Sequence, residues 1–198
     1  NHKIIVINNG IDLSIFKPLK TNIRQKLNIA SNKKMILGVV SSGFKGKKEF
    51  IELSLNSQYQ IVIVGLKSEW IDRIPSNIIC IPHTNSQFEL AEYYSAADVF
   101  LNPTNDDTFP TVNLESLACG TPVVTYKSGG SPETIDVNTG IVVERGDIEN
   151  LKIAVEKVLS QGKDSYSEHC RRRAEIHYNK DERFNDYINL YETLLRTR

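Results

Sequence analysis

Residues 98–128, "DVFLNPTNDDTFPTVNLESLACGTPVVTYKS", contain two strand-like runs on either side of a helical stretch. The runs at 98–104 and 122–128 are rich in apolar residues. Pro110 suits the first position of the helix between them, and Gly120 suits the residue just past its end. A strand, a helix and a second strand in this order predict a βαβ unit, in which the two strands run parallel.

The same alternation continues along the chain and predicts the fold class. Five further runs typical of strands lie at 3–8, 34–41, 59–65, 78–83 and 139–144. Several are apolar almost throughout, as expected of strands that helices cover on both faces. We therefore predict an α/β fold with a doubly wound, Rossmann-like parallel sheet. We expect a single domain over 1–198, with C-terminal helices from about residue 163.

Several helices carry recognisable ends or faces. Ser86 and Glu89 form a capping-box pattern, and Asp147 is placed to cap a helix with an apolar face at 151–159. A last helix is predicted to place its apolar residues on one stripe: Phe184, Tyr187, Ile188, Tyr191, Leu194 and Leu195.

Composition narrows the possible functions. The 24 basic and 24 acidic side chains give a formal net charge of +0, so no global field attracts the chain to nucleic acid or anionic lipid. No apolar run approaches the roughly 18 residues of a membrane span. The three cysteines show no C-x-x-C spacing, which favours a reducing compartment. Because the chain begins with Asn1 rather than Met, we expect it to be a piece of a longer protein.

Ligands of such sheets bind beyond the carboxyl ends of the strands. Four segments are expected to meet there: 41–46, 65–67, 82–85 and 103–109. The first belongs to "SSGFKGKK" (41–48), where glycines between a strand and a helix let backbone N–H groups face an anion. The pattern does not match a P-loop, and the alternative is an ordinary turn with solvated lysines.

Two acids, Asp107 and Glu115, lie in the 103–109 segment and the helix after it. Glu115 falls among small and apolar neighbours on the helix, where a carboxylate is costly without hydrogen-bond donors. A ribose diol would supply two hydroxyl donors. The alternatives are that Glu115 is an exposed residue paired with a lysine, and that Asp107 only caps the helix.

These motifs together resemble a known family. "NNGID" from Asn8, "KG" at 45–46, "YSAADVFLNPT" and "DTFPTVNLESLACGTPVVTYKSGGSPE" (107–133) are similar to the nucleotide-binding half of GT-B glycosyltransferases. The resemblance is to retaining family 4, also called glycosyl transferases group 1, in its capsule and exopolysaccharide branch in bacteria. Its most specific part is the acid–x7–acid element followed by "ACGTPVV" and "GG-S-P-E".

The resemblance implies roles for individual residues. Lys45, with Gly46 beside it, matches the lysine that contacts the donor diphosphate, and Glu115 matches the glutamate that binds the ribose. Asp107 stands at the first acid of the motif, near the donor sugar, where most members have Glu. Asp107 and Lys45 are thus the predicted catalytic residues. The other predicted binding residues lie in the loop and helix start or beside the base: Thr108, Phe109, Thr111, Val112, His83 and Thr84.

The resemblance also implies an activity and partners. We expect the donor half of a retaining glycosyltransferase, which uses a UDP-, GDP- or ADP-linked sugar and needs neither metal nor cofactor. The carbohydrate or glycolipid acceptor would bind an N-terminal domain absent from this chain, so the piece alone is expected to be inactive. The expected location is the cytoplasm or the inner face of the cell membrane, with peripheral membrane association of the full-length enzyme and no nucleic acid partner.

Other interpretations stay open. The chain could be a non-catalytic nucleotide-sugar binding module or a GT-B-like nucleotide-sugar epimerase; the acid pair favours a transferase, since an epimerase needs further acid and base residues. His169, Cys170 and His177 suggest either a metal or, preferably, solvated helix positions. The run 171–173 suggests either a patch for anionic membrane or for the missing domain or, preferably, a plain solvated face. Glu133 suggests either a ligand contact or a helix cap.

Overall fold

The computed structural model of the protein describes residues 4–40 and 46–196. Its described strands form one parallel sheet in the order β3-β2-β1-β4-β5-β6. The strands are β1 Lys34–Val39, β2 Tyr59–Val64, β3 Ile79–Ile81, β4 Val99–Asn102, β5 Val123–Tyr126 and β6 Gly140–Val143. The predicted doubly wound parallel sheet is confirmed.

The connections between strands are helical. The helices are α1 Ile23–Lys26, α2 Lys47–Ser54, α3 Ser68–Ile71, α4 Gln87–Ala96, α5 Thr111–Ala118, α6 Ile148–Gln161, α7 Asp164–His177 and α8 Lys180–Arg196, with a short 3-10 helix at Ser131–Thr134. Ser86 accepts a hydrogen bond from the Glu89 N–H at 3.1 Å, and Asp147 accepts one from the Asn150 N–H at 3.0 Å. Both predicted caps are therefore formed.

The central strands are buried on both faces. Ile36 and Leu37 of β1 are inaccessible to solvent, as are Val99 and Phe100 of β4. The long apolar runs that predicted these strands thus make up the core between two helix layers.

The predicted strand at 3–8 is wrong over its described part. Residues 4–8 form no strand, and Ile4 and Val6 are 90% and 78% exposed. An apolar run becomes a strand only where a neighbouring strand supplies hydrogen bonds. Residues 4–8 pair with none of the described strands, and the isolated bridge nearest to them, Ile11 to Asn179, lies beyond the run. The predicted stripe on α8 is helical as expected, but none of its residues is buried.

Close backbone contacts bring the loops at the carboxyl edge of the sheet together. β1 pairs with β2 on one side and β4 on the other, so the chain changes direction across the sheet between β1 and β4. Gly46 has a φ of 77°, and a Cβ there would lie 2.2 Å from the Pro103 ring. Gly65 has a φ of 89°, and a Cβ there would lie 2.0 Å from the Val40 carbonyl oxygen. These approaches exclude larger residues and hold three loops side by side.

None of the described helices is both long enough and apolar enough to cross a membrane.

Candidate functional site

A cleft of about 200 Å³ lies at the carboxyl edge where β1 and β4 are neighbours. Its walls come from the end of β1, from Phe50 of α2, and from the β4–α5 connection; the lining residues are 39–40, 50, 101–104, 107 and 109–112. This is the switch point of the sheet, the position at which open α/β folds bind ligands.

Two helices begin beside this cleft. Thr111 and Val112 in the first turn of α5 line it, while Gly46, the residue before α2, packs on Pro103 of the cleft wall. Pro110 is the residue before α5 rather than its first residue, a shift of one position from the prediction. The first N–H groups of a helix lack partners within it, and they carry the positive end of its dipole. The cleft is therefore suited to an anion.

Asp107 lines the cleft and shapes the loop before α5. One of its carboxylate oxygens, Oδ1, accepts a hydrogen bond from the Phe109 N–H at 3.2 Å. Because Phe109 precedes the helix, this contact fixes the loop and does not cap α5. The other oxygen, Oδ2, has no protein partner among the hydrogen bonds of the described residues, which leaves it available to a ligand in the cleft.

The Gly129–Gly130 turn packs directly against the loop of Asp107. A Cβ on Gly129 would lie 1.9 Å from the Asp107 carbonyl oxygen, and one on Gly130 would lie 2.1 Å from that of Thr108. The Gly130 N–H donates to the Asp107 carbonyl at 3.1 Å. These glycines let two backbones meet, and so support the conformation in which Asp107 faces the cleft.

A buried polar network braces the start of α5 from below. The Asn102 amide donates to Asn113 Oδ1 at 2.9 Å, and the Asn113 amide donates to Thr134 Oγ1 at 2.9 Å. All three side chains are buried or nearly so. The network ties β4, α5 and the 3-10 helix together, which fixes the direction in which α5 begins.

Glu115 lies one helical turn further along α5 and does not line the cleft itself. Its side chain is half-buried, and Oε2 accepts a hydrogen bond from the Tyr94 hydroxyl at 3.0 Å. Burial raises the pKa of Glu115 to about 7, against the opposing effect of that hydrogen bond. The partner is a tyrosine on α4, so the lysine pairing considered for Glu115 is absent from the contacts of the described residues.

The remaining predicted site residues are spread along the same edge. His83 is exposed and Thr84 half-buried, just beyond β3. They are separated from β1 by β2 and do not line the cleft that contains Asp107. Thr108 is exposed, and the Phe109 ring packs edge-on against Tyr178 at 6.1 Å. Lys45 lies outside the described residues.

Several weaker interpretations are corrected by the contacts. Arg171 donates to the carbonyl oxygens of Phe16 and Ala118 at 2.9 and 3.1 Å. Arg173 donates to the Thr134 carbonyl at 3.0 Å and pairs with Asp136 at 2.7 Å. These two arginines join α7 to the domain, so they form neither a solvated face nor a free anion patch.

The suggested metal residues do not converge. His169 and His177 are exposed, whereas Cys170 is fully buried. No group of three or more His, Cys, Asp or Glu side chains in the described part of the chain could hold a metal ion. The Glu133 side chain is exposed and does not cap the 3-10 helix.

Tyr94 is the site residue that sequence reasoning missed. Tyr94 is the first residue of the "YSAADVFLNPT" motif, which predicts no contact for its side chain, yet its hydroxyl is the described partner of Glu115. The two residues lie 21 positions apart on different helices. A carboxylate among apolar neighbours needs a hydrogen-bond donor, but no pattern near it in the sequence predicts which residue supplies that donor.

The fold and the cleft define a doubly wound α/β domain with an anion-competent site at its switch point. The family follows from the sequence: residues 20–179 match the profile of Glycosyl transferases group 1. The chain belongs to this family, whose fold is of the GT-B type, and the resemblance to glycosyl transferases group 1 noted in the sequence is confirmed.

Among curated relatives, the chain is 28% identical over 169 residues to a D-inositol 3-phosphate glycosyltransferase of Streptosporangium roseum, covering 73% of the chain and 39% of the relative. It is 23% identical over 208 residues to the capsular polysaccharide biosynthesis glycosyltransferase CapM of Staphylococcus aureus, covering 95% and 54%. The chain thus spans about half the length of these relatives or less.

Solved structures share the fold. Sucrose-phosphate synthase from Thermosynechococcus elongatus superposes with a TM-score of 0.84 at 24% identity, covering 97% of this chain and 53% of that one. Anabaena Alr3699/HepE in complex with UDP-glucose superposes with a TM-score of 0.81 at 18% identity, covering 96% and 57%.

Proposed function

We propose that the chain is the donor-binding half of a retaining glycosyltransferase that transfers a sugar from a nucleotide diphosphate sugar to a polysaccharide or glycolipid acceptor. The observation that carries the proposal is the convergence at one sheet edge of two helix starts, the Asp107 carboxylate and, one turn along α5, Glu115. Family membership supports the same assignment.

The diphosphate is placed at the starts of α2 and α5. Backbone N–H groups and the positive helix ends stabilise its charge, and Lys45 adds a cation next to Gly46. As the acceptor attacks the anomeric carbon, the nucleoside diphosphate leaves and negative charge grows on its phosphate. Groups already aimed at that position lower the barrier without reorganising. No metal is invoked for this step.

The two acids take different parts of the donor. Glu115 accepts the ribose hydroxyls, and Asp107 accepts a hydroxyl of the transferred sugar through Oδ2, which has no hydrogen-bond partner among the described residues. The edge at His83 and Thr84 receives the base. HepE is described in complex with UDP-glucose, and a Mycolicibacterium smegmatis relative is described as GDP-mannose-dependent, so UDP and GDP are the first nucleotides to test.

Binding titrations separate the two acids. Glu115→Gln is expected to weaken UDP or GDP binding by about 1–3 kcal/mol, because one acceptor oxygen becomes a donor. The 2′,3′-dideoxy nucleotides lack the hydroxyls concerned and should bind both proteins equally weakly. Asp107→Asn should leave the nucleoside diphosphate affinity nearly unchanged and weaken only the nucleotide sugar.

Glu49→Gln provides the matched control. Glu49 is a buried glutamate that, like Glu115, accepts a tyrosine hydroxyl, here from Tyr126 at 3.0 Å. Its substitution should not change the ratio of ribose to dideoxy affinities. Unchanged affinities of Glu115→Gln for both nucleotide types would show that Glu115 is structural, and the ribose assignment would be wrong. If the protein, combined with the N-terminal half, epimerised the donor sugar instead of transferring it, an epimerase would be indicated. If the combined protein only bound the donor, a non-catalytic binding module would be indicated.

A further inference from the structure

Within the described part of the chain, the Glu115 carboxylate accepts a hydrogen bond on one of its two oxygens. Oε2 accepts the Tyr94 hydroxyl at 3.0 Å, while Oε1 has no hydrogen-bond partner among the described residues. An ionised carboxylate can accept about four hydrogen bonds. Tyr94 therefore occupies one acceptor position and leaves the remaining ones to a ligand.

Tyr94 is held as a rigid donor. It is fully buried, and its ring makes edge-on contacts with Phe100 at 5.3 Å and Phe16 at 6.3 Å. Its backbone carbonyl accepts the Thr121 hydroxyl at 2.6 Å and the Lys163 ammonium at 3.4 Å. Neither the ring nor the backbone can move without breaking these contacts, so the hydroxyl is fixed in space.

We propose that Tyr94 is a positioning residue for nucleotide recognition: its hydroxyl holds the Glu115 carboxylate in the plane in which the free acceptor positions receive both hydroxyls of a vicinal diol. The inference rests on the proposed function, since the diol in question is the ribose of the donor. It adds to that function a second residue, on a different helix, on which discrimination between ribose and dideoxyribose depends.

The hydrogen bond also favours the ionised form of Glu115, which is the form that can accept two hydroxyls. Burial raises the pKa of Glu115 to about 7, and the bond from Tyr94 lowers it. Two other titratable groups lie near this pair. Burial raises the pKa of the Cys119 thiol to about 12 and lowers that of Lys163 to about 8. Between pH 6 and 7.5 the thiol stays neutral, while the charged fraction of Lys163 falls only from about 0.99 to about 0.76, so Glu115 accounts for most of the change in this window.

These values set the expected pH dependence in wild type. With a pKa of about 7, the ionised fraction of Glu115 falls from about 0.76 at pH 7.5 to about 0.09 at pH 6, and the apparent affinity falls in the same proportion. The ratio of UDP to 2′,3′-dideoxy-UDP affinity, or of the guanine pair, is therefore expected to drop about eightfold. Phosphate titration affects both ligands of a pair alike and cancels in the ratio.

Tyr94→Phe is the test. Loss of a hydrogen bond to the carboxylate is expected to raise the pH midpoint of the ribose-to-dideoxy ratio by about one unit, which makes ribonucleotide binding about fivefold weaker at pH 7. Tyr126→Phe is the matched control, since it removes the same group from an equally short bond, 3.0 Å, to Glu49. It should lose stability without moving the ratio or its midpoint.

The outcomes separate this inference from the proposed function. If wild type does not distinguish ribose from dideoxyribose, the ribose role of Glu115 itself fails. Suppose that wild type distinguishes ribose from dideoxyribose and Glu115→Gln does not. If Tyr94→Phe then keeps the wild-type ratio of ribose to dideoxy affinity and its pH midpoint, only the positioning role of Tyr94 is overturned. Should Tyr94→Phe fail to fold, 3-fluorotyrosine at position 94 keeps the packing and donates more strongly. It is expected to lower the midpoint, and an unchanged midpoint would overturn the inference.

Discussion

Glu115→Gln is expected to stabilise the protein at pH 8 even as it impairs nucleotide binding. The glutamate is half-buried on α5, and burial raises its pKa from 4.5 to about 7 in the folded state. The folded protein therefore binds more protons than the unfolded chain between these values. The free energy of unfolding therefore falls as the pH rises through this window, and above about pH 7 the ionised Glu115 destabilises the folded state to the full extent. A glutamine has no charge to desolvate, and its amide oxygen can still accept the Tyr94 hydroxyl.

The size of the effect follows from the shift. A difference of 7 − 4.5 = 2.5 pH units corresponds to about 3 kcal/mol, and partial exposure of the side chain reduces the expected gain to about 2 kcal/mol at pH 8. In a domain of this size that is an increase in Tm of roughly 4–8 °C. At pH 4.5 and below, where Glu115 is neutral in the folded state, the gain should nearly vanish.

Denaturant unfolding at pH 4.5 and pH 8 measures both quantities. Glu133→Gln serves as the control because Glu133 is exposed, and it should leave stability unchanged at either pH. If Glu115→Gln is as stable as wild type at pH 8, or less stable, then burial of the Glu115 charge does not destabilise the protein as argued above. A stabilised variant that no longer distinguishes ribose would show a binding residue retained at the expense of stability.

Three further outcomes follow from the same site. Asn113→Ala leaves the Asn102 amide without its partner and removes the bond that the Thr134 hydroxyl accepts, while that hydroxyl still donates to the Ser131 carbonyl; the unfolding free energy should fall by about 1–3 kcal/mol, and a loss below about 0.5 kcal/mol would contradict the bracing role. Gly129→Ala places a Cβ against the loop of Asp107, so calorimetry should show weaker nucleotide-sugar binding with nucleoside affinity kept; equal losses would indicate general unfolding. Lys45→Ala should weaken nucleoside diphosphate binding by about 1.5–3 kcal/mol and nucleoside binding little; equal effects on both would make Lys45 a plain surface residue.

Local chemistry determined much of the fold before any tertiary contact was known. The unit from β4 to β5 follows from two apolar runs, from Pro110 immediately before α5, and from Gly120 just beyond the end of α5. Gly120 has a φ of 73°, which favours glycine. The caps at Ser86 and Asp147 depend on residues three positions away, so the sequence contains the whole interaction. Helix ends and caps depend on residues that are close together in the sequence, so a single sequence is enough to predict them.

Only the tertiary structure determines which apolar residues are buried and which charged residues are hydrogen-bonded. The run at 4–8 has the composition of a strand but pairs with none of the described strands, and the stripe on α8 is amphipathic but unburied. Arg171 looks like a surface charge in the sequence, yet it bonds the Phe16 carbonyl 155 positions away. Glu115 was recognisable as a carboxylate in need of donors, whereas Tyr94 became its donor only because α4 packs beside α5. These pairings depend on the order of strands and the packing of helices, which periodicity along the chain does not specify.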